Sequence, residues 1–341
     1  MRSSLKSPSQ NNIIEVYDNN FIEEIKHLGS YLDDYPYIGM DTEFPGIVYP
    51  CPAYSQGFYY KYIKTNVDKL KLIQLGVSLF NEKGESPNEG ATWQFNLRFN
   101  HEKDAHSRES MSLLSNCGID FNLLKKNGIH YSTFAEYLTT SGLVLNDTIK
   151  WISFNGLSDF AYLLRLLINS DLPDNENDFL STLTLYIPNY YDIKYIVQNS
   201  LDNLKGGLNK IAQQLGVERY GDIHQAGSDS IVTGDVFFKL VHNNLISKEE
   251  IIMKKNILFG IGLGTDDNET FNYTQFAPGV INNYNNNQIL PQSNYSNTSY
   301  EQNVYSNPMM PYHQSGSMPN QYNYEQSQAK RFPYGLLQYN N

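Results

Sequence analysis

The chain has 341 residues, 40% of them apolar, enough for one large domain or two small ones around a real core. Its formal net charge of -11 argues against a basic nucleic-acid coat held by phosphate neutralisation, but not against an enzyme that meets phosphates through metal ions. Two cysteines, Cys51 and Cys117, with no Cys-x-x-Cys, exclude a zinc ribbon and a dense disulfide framework and point to a reducing compartment.

Residues 1–12 are polar and lack an apolar run, so they read as a disordered N-terminus and not as a secretory signal. Phe21, Ile25, Leu28 and Leu32 follow helical spacing, with Asn20 and Glu23 placed for a capping box. Tyr37–Glu43 reads as a strand, Leu70–Phe80 as a second, and Asn81–Gly90 as a turn-rich break. Trp93, Phe95, Leu97 and Phe99 alternate as a third strand. Short helical patterns follow at Ser110–Ser115 and Thr133–Thr140, then a strand at Ile149–Phe154. Asp159–Ile168 is apolar on nearly every side and predicts a buried helix; Leu208–Leu215 and Ser230–Val241 predict two more. Three strands with hairpin-length links, then strands alternating with helices, predict an α/β fold with a mixed sheet flanked by helices. The longest apolar runs, such as Tyr162–Ile168, are too short to span a bilayer, so no membrane partner is expected and the sequons at Asn146 and Asn297 are chance matches.

The most informative local feature is Met40-Asp41-Thr42-Glu43-Phe44-Pro45-Gly46. A strand period of two puts Asp41 and Glu43 on one face, and Phe44-Pro45-Gly46 ends the strand beside them. Two such charges about 4 Å apart at an effective dielectric of about 20 repel by roughly 4 kcal/mol. A divalent cation answers that, and oxygen ligands favour Mg²⁺ or Mn²⁺.

Three other places could carry chemistry. Asp159 follows the strand Lys150–Phe154 across Asn155-Gly156-Leu157-Ser158, where an acid also serves as a helix first-turn residue. His224 and Asp229 are five apart with a glycine between them, so a loop histidine can fold back towards a carboxylate at a helix start; a simple cap beside a surface histidine fits the same residues. Lys205-Gly206-Gly207 could offer a cation and backbone amides to phosphates, or be a turn before the Leu208 helix. Phe44 and Leu75 could pack against a nucleotide or into the core. Joint occurrence strengthens the set, because open sheets place ligand sites where strands end.

The order Asp-x-Glu, Asp, then His-x4-Asp resembles the DEDD exonucleases, in the subclass with a histidine before the last acid. The likeness is closer still to the Caf/Pop-type poly(A) ribonucleases of CCR–NOT complexes. It is carried by the Met40–Gly46 run, Asn203-Leu204-Lys205-Gly206-Gly207-Leu208, and His224-Gln225-Ala226-Gly227-Ser228-Asp229-Ser230. Trp93-Gln94-Phe95-Asn96 and Trp151-Ile152-Ser153-Phe154 fit as well, and the resemblance covers residues 13–265. It implies a ribonuclease H-like single domain and a metal-dependent 3′-to-5′ exoribonuclease that shortens mRNA poly(A) tails and releases 5′-AMP. Two divalent ions, Mg²⁺ or Mn²⁺, would be held by Asp41, Glu43, Asp159 and Asp229, with His224 handling the attacking water. Phe44, Lys205 and Gly206 are the substrate-contact candidates. Implied partners are poly(A) RNA, a large NOT-type scaffold subunit and a second deadenylase subunit. The implied locations are the cytoplasm, including RNA granules, and the nucleus. The chain departs from the family at Asn155, where a histidine is common, which puts substrate contacts from that loop in doubt. Two other readings compete: a scaffold subunit without turnover, and a DNA proofreading or repair exonuclease on the same fold.

From about residue 270 the composition turns to Asn, Gln, Tyr, Ser and Pro, with Glu301, Glu325, Lys330 and Arg331 as its charged side chains. Residues 270–341 cannot bury enough apolar surface to offset ordering entropy and read as a disordered, prion-like tail.

Overall fold

A computed structural model describes residues 13–50, 58–87, 92–198, 200–201 and 203–262. The readings of 1–12, of the end of the 13–265 domain, and of the 270–341 tail lie outside the described residues, as does Cys51. The chain opens with β1 (Ile13–Val16), α1 (Phe21–Gly29), β2 (Tyr37–Glu43), α2 (Phe58–Val67), β3 (Gln74–Phe80) and β4 (Thr92–Asn96). Helices α3 (Arg108–Asn116), α4 (Phe121–Asn127) and α5 (Tyr131–Thr140) lead to β5 (Lys150–Ser153) and α6 (Leu157–Ile168). Then come α7 (Glu176–Tyr186), β6 (Tyr190–Asp192), α8 (Ile193–Gln198), α9 (Leu208–Leu215), α10 (Ala226–His242) and α11 (Lys248–Met253).

The strands form a six-stranded sheet in the order β1-β4-β3-β2-β5-β6. β4, β3 and β2 run antiparallel to one another, whereas β2, β5 and β6 are parallel and β1 is parallel to β4. The predicted mixed sheet flanked by helices is therefore the fold. Both faces are covered. Ile38 and Met40 of β2, with Leu75, Val77 and Leu79 of β3, join the core shared with α1, α2, α5 and α6. Phe80 and Ile152 belong instead to the core on the other face, with Val232, Val236 and Phe237 of α10.

α10 presses on that second face because three glycines let it. A Cβ on Gly76 would stand 1.9 Å from the Ala226 carbonyl oxygen, and one on Gly39 would stand 2.4 Å from that of Ser230. Gly234, on the helix, gives way in turn to the Phe80 ring. Ser78 of β3 and Ser230 of α10 share a hydrogen bond of 2.7 Å at the contact.

The structure corrects several local expectations. β2 and β3 are not joined by a hairpin-length link, because α2 stands between them. Its buried residues, Phe58, Tyr60, Tyr62, Ile63, Asn66 and Val67, lie on several sides and give no clean amphipathic stripe. Leu70–Ile73 precede the strand, which starts at Gln74. β4 stops at Asn96, and Leu97 makes an isolated bridge to Ile129. The capping box at α1 does not form: Asn20 contributes no side-chain cap and its Oδ1 accepts from the Tyr17 N–H at 2.8 Å. α10 begins at Ala226, ahead of the predicted Ser230. The short strands β1 and β6 and the helices α4, α7, α8 and α11 were not foreseen.

Gly76→Ala is expected to destabilise the protein by about 1–3 kcal/mol, because the methyl group must push α10 off the sheet. Urea unfolding checks this; an unchanged midpoint would contradict the close approach.

Candidate active site

The site is built where β2 ends. The alternation of β2 splits its last residues between the two sheet faces. Asp41 and Glu43 share the face of Gly39, against which α10 packs, while Thr42 shares the face of Met40, towards α6. α10 carries Asp229 in its first turn and α6 carries Asp159 in its first turn. The four carboxylates thus converge from both faces on one strand end.

Each acid has its own support. Asp159 is 7% exposed and accepts a short hydrogen bond from the Thr42 hydroxyl. Asp229 is equally buried; its Oδ2 accepts the His224 backbone N–H at 2.9 Å and its Oδ1 accepts Arg219 Nη2 at 2.6 Å. The Arg219 guanidinium also bonds Ser228 Oγ at 3.0 Å and the Asn209 side chain, so it is held in place at several points. His224 has φ +61°, a left-handed conformation that turns its backbone N–H back onto Asp229. Glu43, His224 and Asp229 each offer a ligand atom within 4.8 Å of the others.

The first N–H groups of α10 lack partners within the helix, and strand amides supply them. Gly227 N–H donates to Gln94 Oε1 at 2.8 Å and Ala226 N–H to Gln74 Oε1 at 3.4 Å. Gln94 and Gln74 also donate to Gln225 Oε1, at 2.8 and 3.3 Å, and Gln225 Nε2 donates to the Cys117 carbonyl at 2.6 Å. This amide network ties the segment that carries His224 and Asp229 to β3 and β4.

Electrostatics match the crowding. Burial, then the charges of Asp229, Asp159 and Glu43, push the Asp41 carboxyl well above its ordinary value, with Arg219 pulling it down. Burial, then Asp229 and Asp159, raise Glu43 in the same way. Asp159 rises to about 7, chiefly through burial, against the Thr42 hydrogen bond and with Asp192 adding to the rise. One guanidinium does not balance four carboxylates. The donors are oxygens plus one imidazole, the set a hard divalent cation takes, so these residues fit such an ion.

Other candidates lie apart from this cluster. Phe44 is half-buried and stacks on Tyr162, ring centroids 5.0 Å apart, which commits one face of its ring to packing. Leu75 is fully buried core. Lys205 is exposed, and among the described residues no hydrogen bond or ion pair joins it to the four acids. Gly206 has φ +129°, which requires glycine, and its carbonyl accepts Lys194 Nζ at 3.3 Å. Arg219, Thr42 and Gln225 were missed by sequence reasoning. Thr42 and Gln225 lie inside the quoted motifs, so a search for polar neighbours of the acids could have found them.

A mixed sheet of this order, with carboxylates gathered at the end of its central strand, defines a ribonuclease H-like nuclease. The chain belongs to the CAF1 family of ribonucleases, whose profile matches residues 16–146 and 144–237. It is 43% identical over 234 residues to CCR4-NOT transcription complex subunit 7 of Caenorhabditis elegans, spanning 67% of this chain and 76% of that one. The structure of S. pombe Pop2p in its Mg²⁺- and Mn²⁺-bound form is 39% identical, with a TM-score of 0.69, covering 75% of this chain and 100% of its own. A structure of the yeast NOT1 MIF4G domain co-crystallised with CAF1 gives 27% identity and a TM-score of 0.64, over 75% of this chain and 99% of that one.

A carboxyl raised on folding stabilises the protein below its unfolded value and loses that contribution as pH rises through the folded value. For Asp159 the window runs from 3.8 to about 7. Protein stripped of divalent ions is therefore expected to lose stability across this window, and Asp159→Asn to lose less. Thermal melts in chelator across the range check this; equal slopes for the two proteins would contradict it.

Proposed function

We propose that the protein is a divalent-metal-dependent 3′-to-5′ exoribonuclease that shortens poly(A) tails and releases 5′-AMP within a CCR–NOT-type assembly. Glu43, His224 and Asp229 gathered at one strand end, with Asp41 and Asp159 close enough for their charges to be felt there, in a CAF1-family chain, carry this reading. Two Mg²⁺ or Mn²⁺ ions held by these carboxylates would supply charge neutralisation at the scissile phosphate and a water acidified for attack. Asp41, whose carboxyl feels all three other acids, would be a ligand common to the bound ions. Glu43, close to His224 and Asp229, would hold the ion that activates water, and Asp159, held by Thr42, would hold the other. His224 is half-buried with its imidazole beside Glu43 and Asp229, where it can orient the attacking water and take its proton. Asp229 is kept in orientation by Arg219 and the His224 N–H.

The net charge of -11 leaves little general attraction for RNA, so the terminal nucleotides would be held mainly through the bound ions and through backbone and stacking contacts. A NOT-type scaffold as partner is supported by the relative named as a complex subunit and by the yeast co-crystal. No helix among the described residues is long and apolar enough to cross a membrane. Cytoplasmic and nuclear location, with granule recruitment through residues 270–341, completes the proposal.

With Mg²⁺ or Mn²⁺ the protein is expected to shorten labelled oligo(A) from its 3′ end, faster than oligo(U) or oligo(dA). Chelator stops the reaction and added metal restores it. Asp41→Ala abolishes it; shortening that survives this change would sink the proposal. Removing residues 270–341 is expected to leave oligo(A) shortening intact in the same assay.

A further inference from the structure

One fully buried acid stands outside the cluster. Asp192, the last residue of β6, is fully buried and has no cationic partner in any ion pair or side-chain hydrogen bond among the described residues. Four backbone N–H groups surround its carboxylate instead. Oδ1 accepts from Asn155 at 2.9 Å and from Lys194 at 2.9 Å. Oδ2 accepts from Gly156 at 3.1 Å and from Phe259 at 3.0 Å. These donors come from the turn before α6, the start of α8 and the segment after α11.

The Asn155-Gly156 turn has the shape of an anion-binding nest. Asn155 has φ +57°, Gly156 has φ -78° and ψ 9°, and their successive N–H groups point at one carboxylate. Gly156 is the N-cap of α6 and has no side chain with which to cap it. A Cβ there would stand 2.0 Å from Ser153 Oγ, so the turn is pressed onto β5. Asp159 follows in the first turn of the helix that this nest begins, and the negative charge of Asp192 is felt there.

We propose that Asp192 is a positioning residue: by filling the Asn155-Gly156 nest it fixes the start of α6 and hence the place of the Asp159 carboxylate in the metal site. This rests on the reading of Asp159 as a metal ligand. It also gives Asn155 a place at the first position of the nest. Asn155 is exposed, and asparagine tolerates the left-handed conformation the nest requires.

The test is Mn²⁺ binding by calorimetry to the full-length protein, beside oligo(A) kinetics at saturating metal. Asp192→Asn replaces one accepting oxygen by a donor and so opposes two of the four N–H groups. Asn155→Val disfavours the left-handed turn from the protein surface and leaves Asp192 in place. Both are expected to raise the Mn²⁺ dissociation constant by about 10–100-fold, with KM for oligo(A) little changed. Asn155→Gly, which keeps the turn, retains the wild-type Mn²⁺ affinity. If Asp192→Asn does not fold, Asn155→Val decides. A folded Asn155→Val protein with wild-type Mn²⁺ affinity, or variants that lose melting temperature alone, would overturn the assignment. Failure of the wild type itself to bind Mn²⁺ would remove the metal reading as well, whereas a binding wild type with unchanged variants removes only the role of Asp192.

Discussion

The site depends on how closely α10 lies against β2 and β3. Gly39 and Gly76 leave no room for a methyl group between strand and helix. That contact brings Asp229, in the first turn of α10, to the strand face that carries Asp41 and Glu43. The N-terminal amides of the helix are met by Gln74 and Gln94, so the register along the helix axis is fixed by hydrogen bonds as well as by contact. With a thicker spacer the same acids would still be on the right elements but too far apart to share an ion. Packing at three glycines therefore sets the separation on which the chemistry rests.

The cost of that arrangement is electrostatic. Asp41 and Glu43 are driven upwards first by burial and then by their neighbours, and Asp159 by burial against the pull of its hydroxyl partner. Arg219 offsets part of this from the loop between α9 and α10, but it reaches one oxygen of one acid. The other Asp229 oxygen takes a backbone N–H, so the carboxylate keeps lone pairs free for an ion. The fold holds the acids together through helix-on-strand packing immediately beside them, and the imbalance that remains is one a divalent cation would offset.

The acids were legible in the sequence because each sits where a regular element begins or ends, with distinctive neighbours close along the chain. Asp41 and Glu43 follow an apolar strand and precede Phe44-Pro45-Gly46, and β2 does end at Glu43. The buried character of α6 was also legible, since apolar residues surround it on nearly every side. What failed were elements whose identity is set by distant partners. β6 is three residues long and is a strand because β5 lies beside it. α2 hides its helical period among tyrosines that are buried on several sides. The Asn20 cap failed for a local reason, because its side chain satisfies the Tyr17 N–H of the preceding turn.

Asp192 shows the same limit at the level of function. Nothing in Tyr190-Tyr191-Asp192 sets this aspartate apart from a surface acid at a strand end, since its partners lie 37 and 67 residues away at Asn155 and Phe259. Asp159 and Asp192 are both buried acids at the same end of the sheet, but they are satisfied in opposite ways. Four backbone donors use both oxygens of Asp192 and enclose it, which suits a charge that shapes the protein. Asp159 is met by one strand residue and by its own backbone, through the Thr42 hydroxyl and N–H and the Asp159 N–H, on the side where the other acids gather. Where the donors around a buried carboxylate come from thus separates the acid that builds the turn, enclosed by three segments of chain, from the acid that the turn presents.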